Sequence, residues 1–310
     1  EVATFTTKNA SANFDWEVVS SQTPDNKGIH IFSDKPISVY MLNGKEVTSD
    51  GYMGMPINSW GTDYIHCAYY DFNEYRPLGA GFIVIASEDK TNVTINLKGR
   101  GGNLAKTRSG SKLKEVLTVT LDRGQVYNVV GDATTIGTFD LTGSKIHADK
   151  PIGVISYHER TLLPQNSQNG RDHMVEMIPP VSAWGKKYVN LEFIRDNHGD
   201  FFRILASKNN TTWKMKYYDK MTGDLLGQRD GKLNDGEFYE DYNEWAGRGA
   251  VEGFRGVTVW EADKPVFLMQ YQYSANWDRG DKFDPDMVVV TPYEQYLKGT
   301  IFQTPSIYFI

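Results

Sequence analysis

Along "NVTINLK" the apolar Val93, Ile95 and Leu97 alternate with Thr94, Asn96 and Lys98, and along "WKMKY" Trp213, Met215 and Tyr217 alternate with Lys214 and Lys216. Successive side chains of a strand point to opposite faces, so a period of two predicts strands with one buried face. "FIVIA" (82–86) is an unbroken apolar run and predicts a central strand covered on both sides. No stretch of helical length carries a 3.6-residue apolar stripe. The pattern predicts an all-β chain with about seven or eight strands per period, the content of a small antiparallel sandwich or jelly-roll-like unit.

That period is set by a motif. Asp-Lys-Pro followed by apolar residues occurs as "SDKPISVY", "ADKPIGVI" and "ADKPVFLM", with Pro36, Pro151 and Pro265 spaced 115 and 114 residues apart. Each copy has a glycine upstream (Gly28, Gly143, Gly256) and, downstream, a proline with an aromatic residue four positions later: Pro56 and Trp60, Pro180 and Trp184, Pro292 and Tyr296. "FIVIASEDKTNVTINL" matches "FRILASKNNTTWKMKY", and "LDRGQVY" matches "LNDGEFY". A steady interval over several motifs predicts tandem repeats of about 115 residues.

The residue before proline is driven out of the helical region, and proline fits the first position or the edge of a strand. Asp34, Asp149 and Asp263 can accept hydrogen bonds from nearby backbone. Together with Pro36, Pro151, Pro265, Trp60 and Trp184 they are expected to form structural corners, each a tight connection between two strands. Units starting after Trp-Gly place β-sandwich repeats at 61–184 and 185–296. Residues 1–60 are then a partial repeat, and 297–310 a terminal strand region that either completes it by pairing with 1–60 or belongs to a longer chain.

Composition narrows the function. A formal charge of −6 with acids and bases intermixed argues against nucleic-acid binding. The apolar runs are far shorter than the roughly 20 residues that cross a bilayer. Cys67 is the single cysteine, so neither an intrachain disulfide nor a thiolate cluster can form. "EVATFTTKNASANF" reads as a mature or trimmed N-terminus.

The run "DLTGSKIHADKPIGVISYHERT", then "DHMVEMIPPVSAWGKKYV", with "GFIVIASEDKTNVTI" and "LDRGQVYNV" upstream, resembles the IgGFc-binding protein N-terminal domain family from about Gly79 to Val189. The resemblance implies a secreted or cell-surface binding module with no catalytic residues. Animal members carry cysteines near "HERT" and near Asp172, and their absence points to a bacterial or viral relative.

Several constellations are candidates for chemistry. His158, Glu159 and Arg160, with Asp172, His173 and Glu176, bring imidazoles near carboxylates, the ingredients of a Zn²⁺ or acid-base site, although the spacing fits no zinc pattern. "NWDRGDKFDPD" carries Asp278, Asp281, Asp284 and Asp286, whose oxygens could hold Ca²⁺, though not as an EF-hand. Aromatic residues beside polar ones, Tyr217, Tyr218, Trp245 and Trp277, are expected to be exposed and to bind, because rings supply contact area at low entropic cost.

The expectation is a non-enzymatic extracellular or surface module that binds a glycan, a glycoprotein or another surface protein through loops on a rigid β scaffold. Two alternatives are a structural subunit of a surface assembly or virion, with self-association or strand addition through "TIFQTPSIYFI", and a glycan-processing enzyme using a carboxylate pair such as Asp172 and Glu176.

Overall fold

The computed structural model describes residues 16–45, 48–74, 76–99, 106–134, 140–164, 170–193, 199–241, 253–275 and 284–299. The corner at Tyr296 falls within these, whereas Trp245, Trp277, Asp278, Asp281 and the segment 300–310 lie outside them, and with that segment the pairing of the C-terminal region with 1–60. Every named element is a strand or a single 3₁₀ turn.

The strands are β1 (Pro24–Asp25), β2 (Val39–Lys45), β3 (Thr48–Gly54), β4 (Gly61–Ile65), β5 (Phe72–Asn73), β6 (Pro77–Leu78), β7 (Ala80–Ala86), β8 (Thr91–Asn96), β9 (Val116–Leu121), β10 (Val126–Val130), β11 (Lys145–Thr161), β12 (Asp172–Ile178), β13 (Gly185–Leu191), β14 (Phe201–Ala206), β15 (Thr211–Tyr218), β16 (Leu225–Leu233), β17 (Phe238–Asp241), β18 (Val257–Gln272) and β19 (Asp286–Val289). The 3₁₀ turns Ile57–Ser59, Val181–Ala183 and Tyr293–Gln295 each follow one of the paired-motif prolines.

Two antiparallel sheets share one plan. In the first, β1, β10, β7, β11, β8 and β9 follow in that order, and β4 and β12 also pair with β11; in the second the order is β16, β15, β18, β14, β17, with β13 and β19 on β18. The predicted central strand β7 lies between β10 and β11. The predicted half-buried strands β8 and β15 bury Val93, Ile95, Trp213 and Met215 while Asn92 and Lys214 stay exposed.

One sequence reading is corrected. Asp149-Lys150-Pro151 and Asp263-Lys264-Pro265 do not connect two strands; they lie inside β11 and β18. Upstream of the proline β11 pairs with β4 and β8, and downstream it pairs with β7 and β12, its register against β4 slipping between His147 and Ile152. A strand that changes partners through a bulge turns the corner between layers of a sandwich, and proline, which has no N–H to give the ladder, fits there. The aspartate holds the bend from outside: Asp149 accepts from the Asn92 backbone N–H at 2.8 Å and from its side-chain amide at 2.7 Å, and Asp263 accepts from Thr212 N–H at 2.8 Å. Lys150 donates to Asp89 O, and Lys264 to Asn209 O and Asn210 O, tying each bend to the connection between the two strands that flank it, β7–β8 and β14–β15. Asp34 and Pro36, in the first copy, lie outside any strand and are exposed.

Each strand after a 3₁₀ turn crosses into the next sheet. Tyr64 of β4 accepts from Gly61 N–H and donates to Ile152 O of β11; Tyr188 of β13 accepts from Gly185 N–H and donates to Val266 O of β18. The two sheets also share a core, in which Phe201 and Tyr271 stack at 4.6 Å against Tyr69, within a cluster that includes Val154, Met174 and Met287.

Candidate binding site

At the junction of the sheets lies Arg203 on β14, a fully buried guanidinium. Its Nη1 is 2.8 Å from Asp140 and donates to Ala68 O and Thr142, its Nη2 is 2.6 Å from Glu240, and the rings of Tyr69, Tyr70, Phe238 and Tyr271 stand 4.8–5.8 Å from its carbon. Burial opposes its charge, but Asp140 and Glu240 outweigh that and raise its pKa. A groove of about 430 Å³ opens beside it, lined by Lys98 and Thr142 from the first sheet's side and Phe238, Tyr239 and Glu240 from the second's. Arg203 replaces the residue equivalent to Ile83 in the matching run, the one sequence cue that would have singled it out.

The residues singled out between Pro151 and Trp184 do not converge on one point. His158 is buried, donates through Nε2 to Tyr70 O at 2.7 Å and accepts through Nδ1 from Arg160 N–H at 3.1 Å; burial pushes its pKa down to about 3, so the ring is a neutral structural element. Glu159 chelates Arg108 with both oxygens and also accepts from Gly79 N–H, while Arg160 pairs with Glu74 at 3.2 Å. His173 Nδ1 lies 2.8 Å from His158 O.

Asp172 and Glu176 act toward neighbouring strands. Asp172 accepts from the Thr48 hydroxyl and from Ser49 N–H of β3, and in return Asp50 of β3 accepts from Val175 N–H of β12 at 2.6 Å. Glu176 accepts from Val289 N–H of β19. Burial, then Asp286, pushes Asp50 up to about 8; burial, then Asp286 and Asp50, does the same to Glu176. Of the acids predicted as a cation loop, Asp286 opens β19 and adds to the field at this contact, Asp284 precedes that strand, and Asp278 and Asp281 lie outside the described residues. Among the described residues no group of three His, Cys, Asp or Glu is placed to hold a metal ion.

Of the corner aromatics, Trp60 and Trp184 pack inward, whereas Tyr296 is exposed. The Trp60 indole donates to Met55 O and lies against Gly153, and Trp184 packs on Phe267 at 5.6 Å. Tyr217 and Tyr218 are half-buried at the end of β15, where the Tyr217 ring covers Gly227 and meets Phe254 at 4.9 Å.

Beyond these tyrosines the β15–β16 turn presents Met221, Leu225 and Leu226, which are 86%, 53% and 52% exposed. The turn is fixed from within: Asp219 accepts from Met221 N–H at 2.7 Å and Thr222 N–H at 2.9 Å, its own N–H donates to Asp224 O, and Thr222 donates to the Asp224 carboxylate. An apolar tip held by its own polar groups can meet a partner with little further loss of conformational freedom. Sequence reasoning missed the tip because Met221 and Leu225–Leu226 follow no alternation.

The family model described as IgGFc binding protein matches residues 50–309. The chain belongs to the IgGFc binding protein family. The human IgGFc-binding protein is 32% identical over 186 residues, which is 57% of this chain and 3% of the human protein, so the chain spans a small part of its relative's length. Among the described residues of this family member no helix is long and apolar enough to cross a membrane.

Proposed function

We propose that the chain is a non-catalytic binding module of a secreted or cell-surface protein, that its ligand is a protein or glycoprotein, and that the β15–β16 tip is its contact point. The carrying observation is the exposure of Met221, Leu225 and Leu226 on a turn braced by Asp219. Anchors of this kind dominate binding when they are apolar and held in place beforehand. Family membership supports the class of partner: the relative's name makes the Fc region of immunoglobulin G the first ligand to try. Tyr217 and Tyr218, and outside the described residues Trp245 and Trp277, extend the proposed surface. His158, Glu159 and Arg160 serve the scaffold in this reading, as do Asp172 and Glu176, which accept main-chain N–H groups of β3 and β19. The blocks 61–184 and 185–296 are proposed as the repeating units, with 1–60 and 297–310 as parts of flanking ones.

The test is surface-immobilised binding of the 310-residue chain to IgG Fc, enzymatically deglycosylated Fc, a mucin-type glycoprotein and free glycans. Binding to a protein ligand is expected to weaken at least about tenfold in Met221→Asp/Leu225→Asp, or roughly 1.4 kcal/mol. Equal affinity of this variant and the parent chain would remove the tip from the proposal, and retention of free glycans alone would make the module a lectin.

A further inference from the structure

β9 (Val116–Leu121) closes one edge of the first sheet, and β16 (Leu225–Leu233) closes the equivalent edge of the second. The two strands correspond position by position, since Leu121 stands opposite Thr91 and Leu233 opposite Thr211. Where β16 carries Gln228, Asp230 and Lys232, β9 carries Val116, Thr118 and Thr120. Charges on an edge strand keep other strands from adding to it. One edge is guarded in this way and the other is not, because β9 has no charged residue, no proline and no glycine.

The ladder shows which backbone groups are left over. Leu97 N–H donates to Glu115 O at 2.9 Å, and bonded and non-bonded pairs alternate along an antiparallel ladder, so Leu117, Val119 and Leu121 direct their N–H and C=O groups to β8. Those of Val116, Thr118 and Thr120 point away from β8, and among the described residues no backbone group meets them. The side chains are incompletely covered as well. Val116 is 55% exposed, Thr118 and Thr120 are exposed, and Leu117 and Val119 are half-buried against the core. Neighbouring parts of the chain meet this sheet elsewhere: β1 lies along β10 at the opposite edge, and Asp235, in the β16–β17 turn of the second sheet, meets Lys98 and Lys145. Both contacts leave β9 bare.

We propose that two copies of this chain pair through β9, the strands running antiparallel about a two-fold axis that passes by Thr118. In that register Thr118 faces its own copy, Val116 faces Thr120 on the exposed side, and Leu117 faces Val119 on the core side. The flanking Lys114 and Asp122, both exposed, come opposite each other. This self-complementarity of size and charge selects a second copy as the occupant of the edge. Val116, Thr118 and Thr120 all gain backbone partners, and the first sheet continues across the two copies. The same arrangement of β16 would set Asp230 against Asp230, and like charges directly opposite are destabilising. A two-fold contact uses one patch on both copies and closes at the dimer. It does not use the β15–β16 tip, so a dimer presents two tips.

Sedimentation of the 310-residue chain is expected to show a weight-average mass that rises with concentration to the dimer and no further. Thr118→Lys sets two lysines face to face and is expected to weaken dimerisation at least about tenfold, as is Thr118→Asp. Mixing the two variants brings opposite charges together and is expected to restore the dimer, which a folding defect would not allow. Asp230→Lys on β16 is the control, expected to dimerise as the parent does. Residues in a bonded antiparallel pair have Cα atoms about 5.5 Å apart, within disulfide range. Cys67 is buried, so an introduced cysteine reports alone. Thr118→Cys is expected to form an intermolecular disulfide on mild oxidation, and Val116→Cys to form one with Thr120→Cys but not with itself. A parent chain that stays monomeric, dimerisation of equal strength in Thr118→Lys, equal weakening by Asp230→Lys, or no disulfide in Thr118→Cys overturns the proposal.

Discussion

Arg203 and Asp140 stand 2.8 Å apart with no solvent exposure of either side chain, Arg203 on β14 of the second sheet and Asp140 in the segment that leads into β11 of the first. The guanidinium loses its hydration and recovers it from Asp140, Glu240, Ala68 O and Thr142, so the pair joins the sheets only while every partner is present. Arg203→Met leaves two carboxylates facing each other in the core and is expected to cost about 3–5 kcal/mol, read by urea unfolding. Arg203→Met/Asp140→Leu/Glu240→Leu removes the charges together and is expected to recover most of that loss. A single variant as stable as the parent would show that the ion pair does not join the sheets.

Stability is expected to form a plateau on the acid side of neutrality. Asp50 and Glu176 are raised to about 8 by burial, so the folded state holds protons that the unfolded chain releases above about pH 4; their contribution is full below that and is lost as pH rises to about 8. His66 and His158 are lowered to about 3 by burial, so the unfolded chain takes protons first, and their contribution is full above about pH 6.5 and lost as pH falls toward 3. Between about pH 4 and 6.5 the two slopes oppose each other. Above that window the loss from the two carboxyls remains, and below it the loss from the two histidines, joined there by Asp140 and Glu159, whose pKa values are lowered. The melting temperature should therefore fall from pH 6.5 to 8.5, and Asp50→Asn/Glu176→Gln should flatten that limb. A limb equally steep in the double variant would remove these two carboxyls as its cause.

Much of this fold was legible because half-burial imposes alternation: Val93 and Ile95, or Trp213 and Met215, mark strands whichever partners they find. The recurring Asp-Lys-Pro likewise disclosed equivalent positions. Its geometry was not legible, since a proline that stops one strand and a proline at a bulge inside a longer strand have the same local sequence, and only the pairing of β11 with β4, β8, β7 and β12 distinguishes them. The polar residues near Pro151 misled for a related reason. His158 and Glu159 look reactive in sequence, yet their partners, Tyr70 and Arg108, are 88 and 51 residues away. The Arg203 cage draws on five separate segments, and its single local cue is an arginine inside "FFRILA".

Gly185, which follows the corner Trp184, faces Pro292 more closely than the equivalent Gly61 faces Pro180. A Cβ built on Gly185 would lie 2.2 Å from Pro292 Cβ, and one on Gly61 would lie 2.6 Å from Pro180 Cβ. Neither proline ring can retreat, because each caps a 3₁₀ turn with its φ fixed near −65°. Gly185→Ala is expected to destabilise by about 1–3 kcal/mol through overpacking. Gly44→Ala, on the exposed hairpin with open space around it, is the control, expected within about 0.5 kcal/mol of the parent. Equal melting temperatures for the two variants would show that the glycine after the corner aromatic is not sterically required.

The hydroxyls of Tyr64 and Tyr188 perform the same task in successive sheets, each accepting from the glycine after the corner tryptophan and donating to the carbonyl of the residue after the Asp-Lys-Pro proline. Both tyrosines are almost fully buried, so removing the oxygen strands a backbone N–H and a C=O with no water to replace it. Tyr188→Phe is therefore expected to cost about 1–3 kcal/mol although no volume is lost. The loss should appear in amide hydrogen exchange as faster exchange at Gly185, while β16, at the far edge of the same sheet, exchanges as in the parent. Uniform acceleration across the sheet would mean that the hydroxyl supports the whole sandwich, and unchanged exchange at Gly185 would mean that it does not anchor the crossing strand.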